Sequence, residues 1–451
     1  MKFKRRTLTI LVGLTLIFLL YSIKVLILDS RVVLEPWNCT NATDAERMPN
    51  AKCKNNDTKI ILFYTPWFGQ KPWPEFPHTE LDLSHSNCPE KKCQITHNIH
   101  DIGKSDLIIF HAPDMPRFVS RNELKQIHRY RCLGQRMALL SMESVQHIPL
   151  NNVGIPDGFF NWTITFKRDS DFHCPYGSYA RLPPNEKPPT LIDYAASKSK
   201  FVFWAVSHCS SIREKYVKKL LNYINVDIYG DCSYIYGQDN QCSKSSNCGD
   251  IFKPYKFTLA FENGLCTDYI TEKFWMALNR NSVPVVLAKD YYSDDVVPPG
   301  SFVSVQDFPS VKALAEYLLY LDKNDTAYNE YFSWKQKFDA KRIFSFKACD
   351  VCDALHDECL KPKSYHDMFK TFWNENVDCK KREKALLRLI DNGWHKWFTS
   401  VRHFRVTPKL CRTKACFFNP LCCRRRGIKE KNPVPRSFFV PKPHGNVCYA
   451  G

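Results

Sequence analysis

Long hydrophobic runs are nearly absent from these 451 residues. Only one stretch, close to the N-terminus, is apolar enough to cross a bilayer, which excludes a multi-span membrane protein. There is no GxGxxG and no Walker loop, so a plain dehydrogenase or ATPase loses its main sequence support. Internal repeats and low-complexity tracts are also missing. Acids are in deficit: 46 Asp and Glu stand against 64 Lys and Arg, for a net charge of +18. With 44% hydrophobic and 24% charged residues, the composition rules out a disordered chain, a collagen and a coiled coil. What remains is a globular chain with room for two or three domains of ~100–200 residues.

The single apolar run predicts where the chain lives. Leu8 to Ile23 carries no charge and would span about 24 Å as a helix, short for a membrane. Residues 8–28 reach across if Lys24 snorkels its amine to the far interface. Lys2, Lys4, Arg5 and Arg6 precede the run, so residues 1–7 are expected in the cytosol and the rest in the lumen. A cleaved signal peptide competes with this reading, but no small-residue cleavage site follows the run. Glycosylation acceptors Asn38, Asn41, Asn56, Asn161 and Asn324 have the Asn-x-Ser/Thr pattern, which fits a lumenal address. So do 20 cysteines, because structural disulfides need an oxidising compartment. Cys349-Asp-Val-Cys352 has the spacing of a zinc half-site or a redox pair, yet no second CxxC at zinc-ribbon spacing accompanies it. After Val401, twelve Lys and Arg face the single acid Glu430, alongside five cysteines. This tail holds +11 of the net charge. A solvated, disulfide-tied appendage and a dock for an acidic partner or anionic glycan both fit it. The lumenal address argues against nucleic acid.

Residues 29–57 are polar and lack periodicity, so they read as a stem. Short apolar runs then recur at 59–65, 106–112, 136–142 and 161–167, and again at 201–207, 226–230, 257–263, 282–288 and 301–305. Such near-continuous runs predict strands buried on both faces. Helical patterns lie between them at Ser211–Ile224, Asp268–Arg280 and Val311–Leu321, so the expectation is α/β with parallel sheets. The Pro-rich segment 181–190 is the expected boundary. The predicted layout is therefore an N-terminal domain at 58–185, a C-terminal domain at 186–360, and C-terminal helices with the basic tail at 361–451.

Tyr255–Ala288 reads as strand, loop, helix, strand, the length of one βαβ unit. Asp268 is the expected helix cap, which puts Lys273 in the first turn, where a cation opposes the helix dipole. Ser211-Ile-Arg-Glu214 has the capping-box pattern and places Arg213 in the same awkward position. Two helix starts that each carry a cation make sense if a diphosphate lies between them; exposed surface cations are the bland alternative. Asp169-Ser-Asp171 has a spacing able to hold a divalent ion, but it lies before the boundary, outside the half with the phosphate-type helix starts. Glu143 follows the predicted strand at 136–142, where a carboxylate facing a cleft suits a general base; an ordinary loop acid is the alternative.

The run AFENGLCTDYITEKFW with VPVVLA resembles the donor-site motif of the α-1,3-fucosyltransferases, and FKRDSDFHCPYG at 166–177 resembles the segment these enzymes carry before it. The resemblance covers roughly Lys59 to Leu360. It implies a type II Golgi membrane protein of GT-B fold, with two Rossmann-like domains facing a cleft, that transfers L-fucose from GDP-fucose with inversion. It implies that Arg213 and Lys273 bind the diphosphate, that Asn263, Tyr269 and Glu272 hold nucleotide or fucose, and that Glu143 is the base. It also implies the disulfides Cys88–Cys349 and Cys93–Cys352. No cofactor or metal is required on this reading, and a divalent cation such as manganese is at most stimulatory. The partners are GDP-fucose, a glycan or glycoprotein acceptor, and the Golgi membrane through one helix.

The sequence departs from the family pattern in three places. His208 stands where the family often has Asn, and Gly264 stands where it has Ser. The segment after YITEK is closer in length to core-type members of plants and invertebrates, which leans the expectation toward core fucosylation of N-glycans rather than LacNAc or Lewis-type structures. Two other readings stay open: a metal-dependent glycosyltransferase using Asp169 and Asp171, and an inactive lumenal glycan-binding homologue.

Overall fold

The structure is a computed structural model that describes residues 58–392 apart from 78–91, 133, 149, 185–191, 210, 239–250, 343–345, 347, 358–359 and 361–362. Residues 1–7, the anchor at 8–28, the stem, Asn38, Asn41, Asn56, Cys88 and the basic tail lie outside the described residues. Among the described residues, no helix is long and apolar enough to cross a membrane.

The chain folds into two compact units. The first holds six strands: β1 (Lys59–Phe63), β2 (Cys93–Thr96), β3 (Leu107–His111), β4 (Arg136–Ser141), β5 (Trp162–Thr165) and β6 (Phe172–His173). They form one parallel sheet in the order β2-β1-β3-β4-β5-β6. Leu107, Ile108, Ile109 and Phe110 are wholly buried, as the continuous apolar run requires of a strand covered on both faces. Helix α1 (Arg121–Tyr130) starts at a complete capping box between Ser120 and Glu123, which satisfies two otherwise orphaned donors.

The second unit carries β7 (Gly177–Arg181), β8 (Lys200–Ala205), α2 (Ile212–Leu220), β9 (Asp227–Tyr229), β10 (Tyr255–Leu259), α3 (Glu272–Asn279), β11 (Val283–Val286), β12 (Val303–Ser304), α4 (Val311–Asp322) and β13 (Phe338–Arg342). Five strands make a second parallel sheet, ordered β12-β11-β10-β8-β9. All nine predicted strands occur, so α/β with parallel sheets is the observed class.

The domain limits differ from the expected ones. β7 and β13 form a two-stranded sheet, which assigns the chain after Gly177 to the second unit, ahead of the Pro-rich segment. The second unit is also interrupted after Arg342: the described part of 343–381 belongs to the first unit, and the second resumes at Arg382. That return is anchored by the disulfide Cys93–Cys352 and by Tyr365 donating its backbone N–H to Phe160 at 2.9 Å. Asn161 completes the anchor: its Nδ2 donates to the Lys363 carbonyl at 2.7 Å and its Oδ1 accepts from Met137 at 2.8 Å. At 8% exposure, with both amide ends engaged, Asn161 is a structural residue and not a glycan acceptor. Asn324 caps the short helix Asp325–Asn329 and is half-buried.

Candidate active site

Ligands of open parallel sheets bind beyond the carboxyl ends of the strands, where the strand order reverses. In the second unit the chain runs from β8 outward to β9 and from β10 outward to β11, so the reversal lies between β8 and β10. Helix α2 follows β8 and helix α3 follows β10. The two cations singled out from sequence are the second residues of these helices.

They converge on the end of β10. Arg213 is 2% exposed; its guanidinium donates to the Phe261 carbonyl at 2.9 Å and the His208 carbonyl at 3.1 Å. The Lys273 ammonium lies 3.2 Å from Glu262 and 3.0 Å from Glu272. Burial alone would lower the pKa of Lys273, but the carboxylates of Glu262 and Glu272 outweigh it and hold the ammonium above its usual range; Arg213 pulls weakly the other way. Asn263 Oδ1 is buried with no hydrogen-bond partner among the described residues; Asn263 directly follows Phe261 and Glu262, the residues that engage Arg213 and Lys273. The disulfide Cys209–Cys232 ties the loop that carries His208 to the chain after β9.

Two local expectations fail. Ser211 precedes α2 but makes no side-chain cap, and its hydroxyl is buried without a partner among the described residues. Donors of the first turn are thus left without a side-chain cap, which suits an anion. Asp268 does not cap α3, which begins at Glu272. Asp268 instead has φ +60° and accepts from the Arg168 backbone at 3.0 Å and its guanidinium at 3.1 Å.

The donor motif is itself divided. Asn263 and Glu272–Lys273 belong to the second unit, whereas Gly264–Thr271 belongs to the first. Tyr269, expected among the donor ligands, is 1% exposed and donates its hydroxyl hydrogen to Glu143 at 3.0 Å. Glu143 sits just past the carboxyl end of β4, half-buried, with its backbone N–H on Ser141 Oγ at 3.2 Å. A Cβ on Gly264 would lie 2.6 Å from the Gln146 amide oxygen and 2.9 Å from Ser144 Oγ. A side chain there requires the Gln146 and Ser144 side chains to shift. The segment is stapled by Cys266–Cys379, 113 residues apart in sequence. Replacing both cysteines by serine is expected to lower stability by about 2–5 kcal/mol, read as a fall in Tm.

His111, the last residue of β3, faces Leu140 of β4 in register. It is wholly buried, with Nδ1 2.5 Å from Asp114 and Nε2 lacking a partner among the described residues. Burial holds the imidazole below its usual pKa against the opposing pull of Asp114 and Glu143. An NMR titration is expected to place its midpoint below ~6.5. The unfolded chain binds a proton near pH 6.5 that the folded chain refuses, so the contribution of His111 to stability is lost as pH falls below that value.

Asp169 and Asp171 do not converge on a common point. Asp171 is saturated by the Thr163 backbone at 2.8 Å, Lys363 at 2.7 Å and Tyr365 at 2.7 Å. Asp169 is 64% exposed, with Lys167 at 3.7 Å. Among the described residues, the one cluster with metal-ligand spacing is Cys93, Cys352 and His356, and its two sulfurs are joined as a disulfide. Cys349 is disulfide-bonded, while the expected partner Cys88 lies outside the described residues. Sequence reasoning missed Glu262, His111 and Asp114. An acid inside the apolar run FTLAFEN was the available signal for Glu262.

The N-terminal fucosyltransferase profile matches residues 56–177, and the C-terminal profile of glycosyltransferase family 10 (fucosyltransferase) matches residues 195–371. The chain belongs to the family 10 fucosyltransferases. Among relatives, the glycoprotein 3-α-L-fucosyltransferase A of Drosophila melanogaster is 36% identical over 323 residues, 69% of this chain and 59% of that protein. The α-(1,3)-fucosyltransferase fut-6 of Caenorhabditis elegans is 32% identical over 342 residues, 71% of this chain and 82% of that one. A crystal structure of an α1,3-fucosyltransferase with GDP-fucose aligns with 71% of this chain and 96% of its own at 17% identity and a TM-score of 0.42. For this fucosyltransferase the fold assignment rests on the two sheet orders.

Proposed function

We propose that this fucosyltransferase is an inverting α-1,3-fucosyltransferase that moves L-fucose from GDP-fucose to the 3-hydroxyl of a GlcNAc in a glycan. One observation carries the reading: Arg213 and Lys273, at the starts of helices that follow adjacent central strands, both turn toward the end of β10. The donor diphosphate accepts hydrogen bonds from these cations and from the N–H groups of the first helical turns. Glu143 takes the proton of the acceptor hydroxyl as its oxygen attacks the anomeric carbon from the face opposite GDP. The C1–O bond to GDP breaks through an oxocarbenium-like state of the kind glycosidases use. Negative charge accumulates on the leaving diphosphate, so fixed cations stabilise the transition state more than the ground state. A GT-B arrangement and a type II Golgi address with the catalytic part in the lumen complete the proposal. The Drosophila relative, named for glycoprotein as acceptor, supports a protein-linked glycan as the natural substrate.

The test is incubation with GDP-fucose and a panel of chitobiose-core and LacNAc glycans, followed by mass spectrometry of the linkage. An α-1,3 product with free GDP supports the proposal; hydrolysis alone, or no use of GDP-fucose, overturns it. Because Asp171 is already bonded within the protein, turnover in EDTA is expected to stay within about twofold of the untreated rate. Complete loss in EDTA together with loss in Asp171→Ala would favour a metal-dependent transferase instead.

A further inference from the structure

The first unit has its own reversal of strand order, between β1 and β3. The loops beyond the carboxyl ends of these two strands are Tyr64–Lys71 and Ala112–Asp114, and the end of the neighbouring β4 carries Glu143. The first loop is built to hold two aromatic side chains at its tip. Asp114, 4% exposed, accepts from the backbone N–H of Phe68 at 2.7 Å and of Gly69 at 2.9 Å. Trp67 and Gln70 exchange backbone hydrogen bonds at 3.0 Å, and Trp73 Nε1 donates to the Thr65 carbonyl at 2.8 Å. Trp67 stacks on His111 with centroids 4.2 Å apart. Trp67 and Met142, the residue before Glu143, line one small cavity of about 20 Å³.

Phe68 is the anomaly in this loop. It is 55% exposed and has φ +46°, a left-handed conformation that a bulky residue adopts at a cost. One edge of its ring packs against His111, with centroids 4.8 Å apart, and against Trp67 at 5.4 Å, yet more than half of this large apolar side chain stays in solvent on strained backbone. Strain of this kind persists where the surroundings over-determine it, and it clusters at ligand sites. A rigid aromatic face at a switch point, at the same edge of the sheet as Glu143, suits a flat apolar surface edged with hydroxyls. A pyranose ring has that surface: its axial hydrogens form a C–H face while its hydroxyls point outward.

We infer that the Trp67–Phe68 loop, pinned by Asp114, is a stacking wall for a sugar ring of the acceptor glycan. The inference rests on the fucosyltransferase reading only for which sugar is bound. Trp67 forms the fixed part of the wall and Phe68 its exposed edge.

The full-length protein is assayed with an N-linked chitobiose-core glycopeptide. Phe68→Ala is expected to raise the KM for glycopeptide at least tenfold, with the KM for GDP-fucose and kcat within twofold. Phe68→Gly is expected to show the same loss with an unchanged or higher Tm, since glycine accepts the left-handed backbone. Phe68→Tyr, which keeps the ring, should return the glycopeptide KM to within threefold of the parent value. Unchanged glycopeptide KM in both the Ala and Gly variants overturns the inference. Saturation-transfer NMR on the same glycopeptide, without donor, separates this claim from the proposed activity. Contact in the parent that is lost in Phe68→Ala upholds the wall even if no fucose moves. No contact in the parent overturns the wall even if transfer occurs.

Discussion

Glu143→Gln is expected to lower kcat by about 10²–10⁴-fold while GDP binding, measured by calorimetry, is unchanged. The substitution removes proton affinity and little else. Glutamine has the same length, and its amide oxygen still accepts the hydroxyl hydrogen that Tyr269 now gives to Glu143 at 3.0 Å. Glu143 is only half-buried, so a neutral isostere imposes no large folding cost. A parallel loss of GDP binding or of cooperative unfolding would show that the carboxylate is structural. Tyr269→Phe keeps the base and loses its orienting bond, so it should retain far more turnover than Glu143→Gln. The comparison separates proton transfer from orientation.

Lys273→Ala is expected to cost about 10³-fold or more in kcat/KM, the scale on which single groups that meet developing charge act. The rate loss has a stability effect mixed into it. Glu262 is 1% exposed and its partner Lys273 would be gone. Removing one side of the pair lowers stability, because the buried carboxylate loses an ion-pair partner. The double variant Lys273→Ala with Glu262→Gln also removes the carboxylate charge that loses this ion pair. It is expected to recover most of the Tm and none of the rate. Activity that returned along with stability would mean that Lys273 serves the fold and not the leaving group. Two carboxylates engage the ammonium, so on the proposed reading a diphosphate meets a lysine whose charge is already held on.

The sheets were the most legible part of the sequence. Runs such as KIILFYT and DLIIFHA have no polar face to turn to water, and only a covered parallel strand accommodates them. The strands that escaped notice are short, at sheet margins, or polar: Phe172–His173 has two residues, and Phe338–Arg342 reads Phe-Asp-Ala-Lys-Arg. Arg213 and Lys273 were legible because a cation in a first helical turn opposes the dipole, and that contradiction is visible in one dimension. Glu262 was harder to weigh. Its burial and its pairing with Lys273 arise from the turn after β10, and periodicity does not report them. Asp268 illustrates the opposite error, since a good capping residue by type was drawn instead to Arg168.

The chain's own letters determined that there are two parallel α/β units, that cations sit at two helix starts, and that a carboxylate ends a strand. Each follows from local hydrophobic pattern, helix electrostatics or a long motif, all of which act over a few neighbouring residues. Only the tertiary structure decided that the donor motif is shared out between units and that Tyr269 serves Glu143. It likewise decided that Asn161 is buried, and that the described part of 343–381 belongs to the first unit. Those outcomes depend on pairings between residues as far apart as Cys93 and Cys352. A contact of that range is chosen by which surfaces the finished sheets leave to be covered, and no short window of sequence contains that information.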